Sequence, residues 1–114
     1  MSNLRYEEPV PASPADVTAA LARDDHQAAA RALVGAAFHH PDWREVQSLC
    51  LHLLDDDDRS LAAVAATCLG HLARIHCQLD TGIVRAALER HRGDDLIGPR
   101  VEDALDDIDL YVDT

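Results

Sequence analysis

The chain contains no lysine; all ten of its basic residues are arginine. That choice of cation carries no function by itself. Aromatics are scarce, with one tryptophan, one phenylalanine and two tyrosines. Ala, Leu and Val therefore supply the apolar mass, which favours close-packed helices over a sandwich of sheets. The three cysteines, Cys50, Cys68 and Cys77, include no CxxC pair. They read as reduced thiols of a cytoplasmic protein, two of them serving as small core hydrophobes. The five glycines form no glycine-rich loop, so a phosphate cradle has no support. The opening residues, MSNLRYEE, lack a basic and then an apolar stretch, so no signal peptide is expected. Charges and histidines interrupt every apolar run, which leaves no candidate membrane span.

What the chain has in excess is acid. Twenty-one acidic against ten basic residues give a formal charge of −11 over 114 residues. A charge of that sign argues against nucleic acid or an anionic membrane as a direct partner. It favours a basic partner, because complementary fields speed encounter. The length suits one domain with its own core.

Periodicity organises that domain around residues 42–76. Trp43, Val46, Leu49, Cys50, Leu53 and Leu54 recur at three- and four-residue steps, one face of a helix capped by Asp42. After the run Asp55–Asp58, a second helix from about Arg59 to His76 is apolar almost all round. Its stripe reads Leu61, Val64, Ala65, Cys68, Leu69, Leu72 and Ile75. A helix greasy on several sides must be covered on several sides. Upstream, residues 1–12 carry Pro9 and Pro11 and read as an extended or disordered tail, pinned by Tyr6. The repeat domain is expected over 13–114. Ser13-Pro14-Ala15-Asp16 starts a first helix, with Val17 and Leu21 inward. Asp24-Asp25 ends it and caps a second, His26 to about His39. A helix from Gly82 to about His91 turns Ile83, Val84, Ala87 and Leu88 inward. Pro99 starts the last, with Val101, Leu105, Ile108 and Val112 as its stripe.

The expected fold is thus all-α: hairpins near 14–38, 42–76 and 81–112. The core should include Val46, Leu49, Leu53, Val64, Cys68, Leu72, Ile83, Leu105 and Ile108. At an offset of 37 residues the second hairpin superposes on the third, Val46 on Ile83, Asp57-Asp58 on Asp94-Asp95, Cys68 on Leu105 and Ile75 on Val112. A two-helix repeat near that length is the signature of a short HEAT/armadillo-like right-handed solenoid. An irregular helical bundle is the alternative.

The lines HPDWREVQSLCLHLL, AATCLGHLARIH and VEDALDDIDLYV resemble a family of small bacterial HEAT-repeat-like proteins. Such proteins stand beside polymorphic toxins and contact-dependent inhibition systems and are thought to act as immunity proteins. The resemblance covers about two thirds of the chain, from Pro41 to Val112, and leaves the first forty residues outside it. It implies binding of a cognate toxin domain and carries over no catalytic residue. Charge adds that the toxin is basic, for example a nuclease. The rival from another class is a non-enzymatic HEAT-type scaffold joining two other proteins.

Catalytic and metal chemistry have weaker footing. Among seven histidines, His71 and His76 are five apart and do not share a face as an i,i+4 zinc pair does. Cys68 and His71 can share a face, but two ligands fall short of a site. The expectation is that His71 bonds within a helix interface and His76 finishes its helix. His39-His40 is read in the same way, as a helix end. The serines sit at the tail, at caps or on a helix surface, so no nucleophile is set beside a base. No cofactor, metal or enzymatic activity is expected. The acids at Asp55–Asp58 lack the calcium-loop pattern and read as a solvated turn that caps the next helix.

The acids nominated for partner binding are Asp55, Asp56, Asp57 and Asp58 in the second turn and Asp94 and Asp95 in the third. Glu102, Asp103, Asp106, Asp107 and Asp109 on the last helix complete the set. Acids four apart repel, and acids in the last turn oppose the helix dipole. The nominated charge therefore looks greater than local structure needs. Asp24-Asp25, Asp55–Asp58 and Asp94-Asp95 are expected to align as a ridge meeting the last helix.

Overall fold

The computed structural model describes residues 9–112. The placement expected for Tyr6, and for the tail before Pro9, lies outside them. Six helices and no strand occur among the described residues: α1 (Pro14–Ala22), α2 (His26–His39), α3 (Trp43–Leu53), α4 (Arg59–His76), α5 (Thr81–Arg90) and α6 (Gly98–Tyr111). The all-helical reading is borne out, with element limits close to those expected.

Short polar residues start most of these helices. The Asp16 carboxylate accepts both the N–H and the hydroxyl of Ser13, at 2.9 and 3.2 Å. Asp25 accepts the Ala28 N–H at the start of α2, Asp42 the N–H groups of Arg44 and Glu45, and Asp58 those of Ser60 and Leu61. Each satisfies a donor that the first turn leaves unpaired. Asp24 takes a left-handed backbone, φ 59°, between α1 and α2, and Cys77 does the same after α4, φ 55°.

α4 is the centre of the molecule. It packs most extensively on α6 and also on α2 and α3, while α1 lies on α2 and α5 touches α6 more lightly. The buried arc of α4 is rotated from the stripe expected. Ala62, Ala66, Gly70 and Ala73 are fully enclosed. Val64 is only half-buried and Ile75 is exposed. A Cβ on Gly70 would lie 2.6 Å from Asp107 Oδ2 and 3.4 Å from Ala104 Cα, so the missing side chain lets α6 close on α4. Small residues win that side because they permit close approach and hence more dispersion contact. On the opposite edge Val64 packs only partly against the core, and Ile75 is left 41 % exposed.

Two further expectations need correction. Ile83 is 62 % exposed; Val84, Ala87 and Leu88 make the buried side of α5. α5 is covered on one side only, and Ile83 precedes Val84 by the 100° of one helical residue. The superposition of Val46 on Ile83 therefore pairs a buried with an exposed position, and Ile75 on Val112 pairs an exposed with a half-buried one. Leu49 is half-buried rather than enclosed. Val46, Leu53, Cys68, Leu72, Leu105 and Ile108 lie in the core as expected. Residues 9–12 cross α2 at Gly35, where a Cβ would meet the Val10 carbonyl oxygen at 2.1 Å. His39 Nε2 holds the Pro9 carbonyl at 3.0 Å, so this histidine ties a crossing segment rather than only ending its helix. His40 bonds Glu45 in the next helix at 2.9 Å.

Candidate partner-binding surface

The three interhelical turns come together at one end of the molecule. His26 Nδ1 sits 2.5 Å from Asp58 Oδ2, with its other nitrogen 3.3 Å from Asp24. His91 Nε2 lies 2.8 Å from Asp55, and Arg59 is 2.8 Å from Asp94. Residues 32 to 36 apart in sequence thus link the α1–α2, α3–α4 and α5–α6 turns. The hydrogen bond and charge of Asp58 push the His26 pKa up, and His26 with the capping N–H groups pulls the Asp58 carboxyl down. The Leu96 and Ile97 N–H groups and Arg59 hold Asp94 below the usual carboxylate range. Asp56 accepts the Asp58 N–H at 2.8 Å. Where the turns meet, His26, Arg59 and His91 lace Asp24, Asp58, Asp94 and Asp55 together, while Asp57 and Asp95 make no ion pair among the described residues.

The acids of α6 divide in the same manner. Glu102 faces Arg92 at 2.7 Å, and that pair lowers the Glu102 carboxyl and raises the guanidinium. Asp109 pairs with Arg85, and Asp107 lies 3.3 Å from Arg74. These three carboxylates have arginine partners, and for Asp109 and Asp107 the partner comes from α5 or α4. The apparent surplus of charge on α6 is to that extent corrected. An acid's partner from another helix cannot be read along its own helix. Asp57, Asp95, Asp103 and Asp106 make no ion pair among the described residues, and all four are exposed.

Asp103 and Asp106 border an open pocket of about 330 Å³ between α4 and α6, lined also by Thr67, Arg74, Arg100, Ala104 and Asp107. Burial raises the Asp107 pKa, Arg74 opposes that rise, and Asp103 and Asp106 add to it. Arg74 also reaches His71 Nδ1. His71 packs against Phe38 with ring centroids 4.8 Å apart and the rings tilted by 58°, and burial with the Arg74 charge lowers its pKa to about 4. It lies in a helix interface and is hydrogen-bonded there, as expected, and the lowered pKa leaves the ring neutral. A second hollow of about 400 Å³, lined by His52, Asp55, Asp56 and Asp57, opens at the turn end.

Gln47 was not among the residues singled out. It is the one buried polar side chain among the described residues, 4 % exposed. Its Nε2 donates to Asp80 Oδ2 and its Oε1 accepts the Asp80 N–H, both at 2.8 Å, which ties α3 to the start of α5. The available signal was its place one turn before Cys50 and beside Val46 on the apolar face. His76 Nε2 is buried without a hydrogen-bond partner among the described residues. Cys50 and Cys68 are both buried free thiols, and hydrogen bonding with Cys68 together with burial pushes the Cys50 thiol well up. Among the described residues no three His, Cys, Asp or Glu side chains gather as a metal site, and no helix is long and apolar enough to cross a membrane.

No protein-family model matches the chain, and no curated protein matches it. Among solved structures it is similar to a chain in the crystal structure of a CDI complex from Cupriavidus taiwanensis LMG 19424. The two share 32% sequence identity and a TM-score of 0.82, over 96% of this chain and 98% of that one. The protein is therefore of the small all-helical class present in that complex, and the chain belongs to the family of that contact-dependent inhibition (CDI) protein. The resemblance to contact-dependent inhibition proteins read from the sequence is borne out.

Proposed function

We propose that this chain is a bacterial immunity protein that binds and neutralises a cognate toxin domain of a contact-dependent inhibition system. The observation that carries the reading is the likeness, end to end and at 32% identity, to a chain of a CDI complex. The formal charge of −11 supports a basic toxin, for which a nuclease is the fitting class. Binding then runs through acidic surface, with no direct contact to nucleic acid or membrane. The immunity protein covers or flanks the toxin's cleft, works in the cytoplasm, and performs no catalysis and needs no cofactor of its own.

The same reading extends to architecture. Three hairpins stack in the manner of a short HEAT-like solenoid. Support comes from the way α4 lies between α2 and α6 and from the links between turns 32 to 36 residues apart.

The test is to express the chain with the product of the toxin gene adjoining its own. The pair should co-purify as a stoichiometric complex, and the added chain should abolish nucleic-acid cleavage by that product. A product that neither binds the chain nor is inhibited by it would overturn the immunity reading. A product that binds and is inhibited but cleaves no nucleic acid would overturn only the nuclease assignment.

A further inference from the structure

α6 makes the most extensive contact with α4. Its buried side, Val101, Ala104, Leu105 and Ile108, faces the body. Its opposite side carries Asp103, Asp106 and Leu110, spaced three and four apart and therefore on one stripe. No described element covers that stripe, and Leu110 is 67 % exposed there. Glu102 and Asp109 are paired with Arg92 and Arg85 on the side toward α5 and its following turn, and Asp107 is paired with Arg74 of α4. What remains toward solvent is an apolar contact beside two uncompensated carboxylates.

Those two carboxylates open onto the pocket between α4 and α6. Its charged lining is Arg74 and Arg100 against Asp103, Asp106 and Asp107, two positive and three negative, which leaves one negative charge over. Arg74 is already shared between Asp107 and His71. Arg100 makes no ion pair among the described residues. The pocket therefore lacks one cation. Carboxylates side by side favour a planar guanidinium, which donates two parallel hydrogen bonds where an ammonium acts as a point charge.

We propose that this pocket receives an arginine side chain from the surface of the basic partner, gripped by Asp103 and Asp106, while Leu110 takes an apolar contact beside it. The inference rests on the immunity reading for the identity of the partner, and it names the place and the chemistry of contact. The raised pKa of Asp107 supports it, because that rise reflects burial and neighbouring charge that Arg74 does not fully offset. At the turn end His26, Arg59 and His91 already pair with Asp58, Asp94 and Asp55, and among the described residues Asp57 and Asp95 share no pocket with an exposed apolar side chain of α6.

Two measurements separate this proposal from the reading it rests on. The first uses no toxin. The labelled full chain is titrated with a blocked Gly-Arg-Gly tripeptide and followed by amide NMR. Saturable shifts are expected at Thr67, Gly70, Ala104 and Asp106. They should weaken at least about fivefold in Asp103→Asn/Asp106→Asn and persist in the charge-matched Asp57→Asn/Asp95→Asn. Absence of saturable shifts there, equal weakening in both variants, or equal shifts from blocked Gly-Lys-Gly would overturn the guanidinium pocket. The second measures affinity for the neighbouring gene product. Asp103→Asn/Asp106→Asn should lower it about tenfold or more, and Asp57→Asn/Asp95→Asn by less than about twofold. A complex that forms equally with both variants overturns the pocket and leaves the immunity reading standing. If no complex forms with the unmodified chain, the immunity reading falls, and the tripeptide titration still decides the pocket.

Discussion

A histidine held neutral inside a helical interface makes a fold sensitive to acid. His71 lies against Phe38 and beside Arg74, and its pKa falls from 6.5 to about 4. Between those values the unfolded chain binds more protons than the folded one, so stability declines as pH drops through that window. Urea unfolding at about pH 7 and about pH 4.5 should show His71→Phe losing less stability than the parent over that interval. Parallel losses would place the acid sensitivity elsewhere. His26 behaves in the opposite sense. Its pKa is raised by Asp58, so its contribution is present below 6.5 and is lost as pH rises through the raised value. Asp58 is lowered, so its contribution is present above 3.8 and disappears as pH falls through the lowered value. His26→Ala should therefore destabilise the protein more near pH 6 than near pH 9. A difference independent of pH would mean that the ring acts by packing alone.

At the scale of elements, the capping residues were legible and the contacts between helices were not. Asp25, Asp42 and Asp58 act locally, on amides two or three residues ahead, so sequence proximity encodes them. Gln47 acts on Asp80, 33 residues away, and only the folded chain brings the two together. Gln47→Ala removes both bonds and leaves the Asp80 N–H without that acceptor. The expected cost is about 1–3 kcal/mol, the penalty for stranding a buried polar group. Equilibrium unfolding measures it, and a loss near zero would show that water replaces the side chain without penalty. The rotation of the buried arc on α4 has a related cause. Leu61, Cys68 and Leu72 announce an apolar stripe, but the choice between its two flanks depends on which neighbour comes closer. Gly70 and its alanines admit α6, so the small-residue flank is enclosed and Ile75 is left out.

For the whole molecule the formal charge of −11 is the dominant property. Mobile ions screen it over a Debye length of about 8–10 Å at ordinary salt. Association with the proposed basic toxin should slow strongly as salt rises, while dissociation changes less. Stopped-flow rates with no dependence on ionic strength would remove the electrostatic part of the proposal without touching the family assignment. The described residues span 39 × 30 × 28 Å, so no charged residue lies more than a few Debye lengths from any other. The distribution of charge still matters at contact distance. There Asp58, Asp94 and Asp55 are answered by His26, Arg59 and His91, while Asp57, Asp95, Asp103 and Asp106 make no ion pair among the described residues.

Helical content, the order of six helices, their caps and most of the core followed from residues within a few positions of one another. Apolar spacing and short polar caps are local signals, and a helix is a local structure. The family resemblance was legible for the same reason, since it lay in the amphipathic lines of α3, α4 and α6. The folded chain alone decided which acids remain available. Glu102, Asp107 and Asp109 look alike on the sequence of α6 beside Asp103 and Asp106. Their fates diverge because arginines from other segments of the chain reach three of them. Charge compensation is set by distance in space, and a run of charges along one helix carries no record of what the neighbouring helices bring to it.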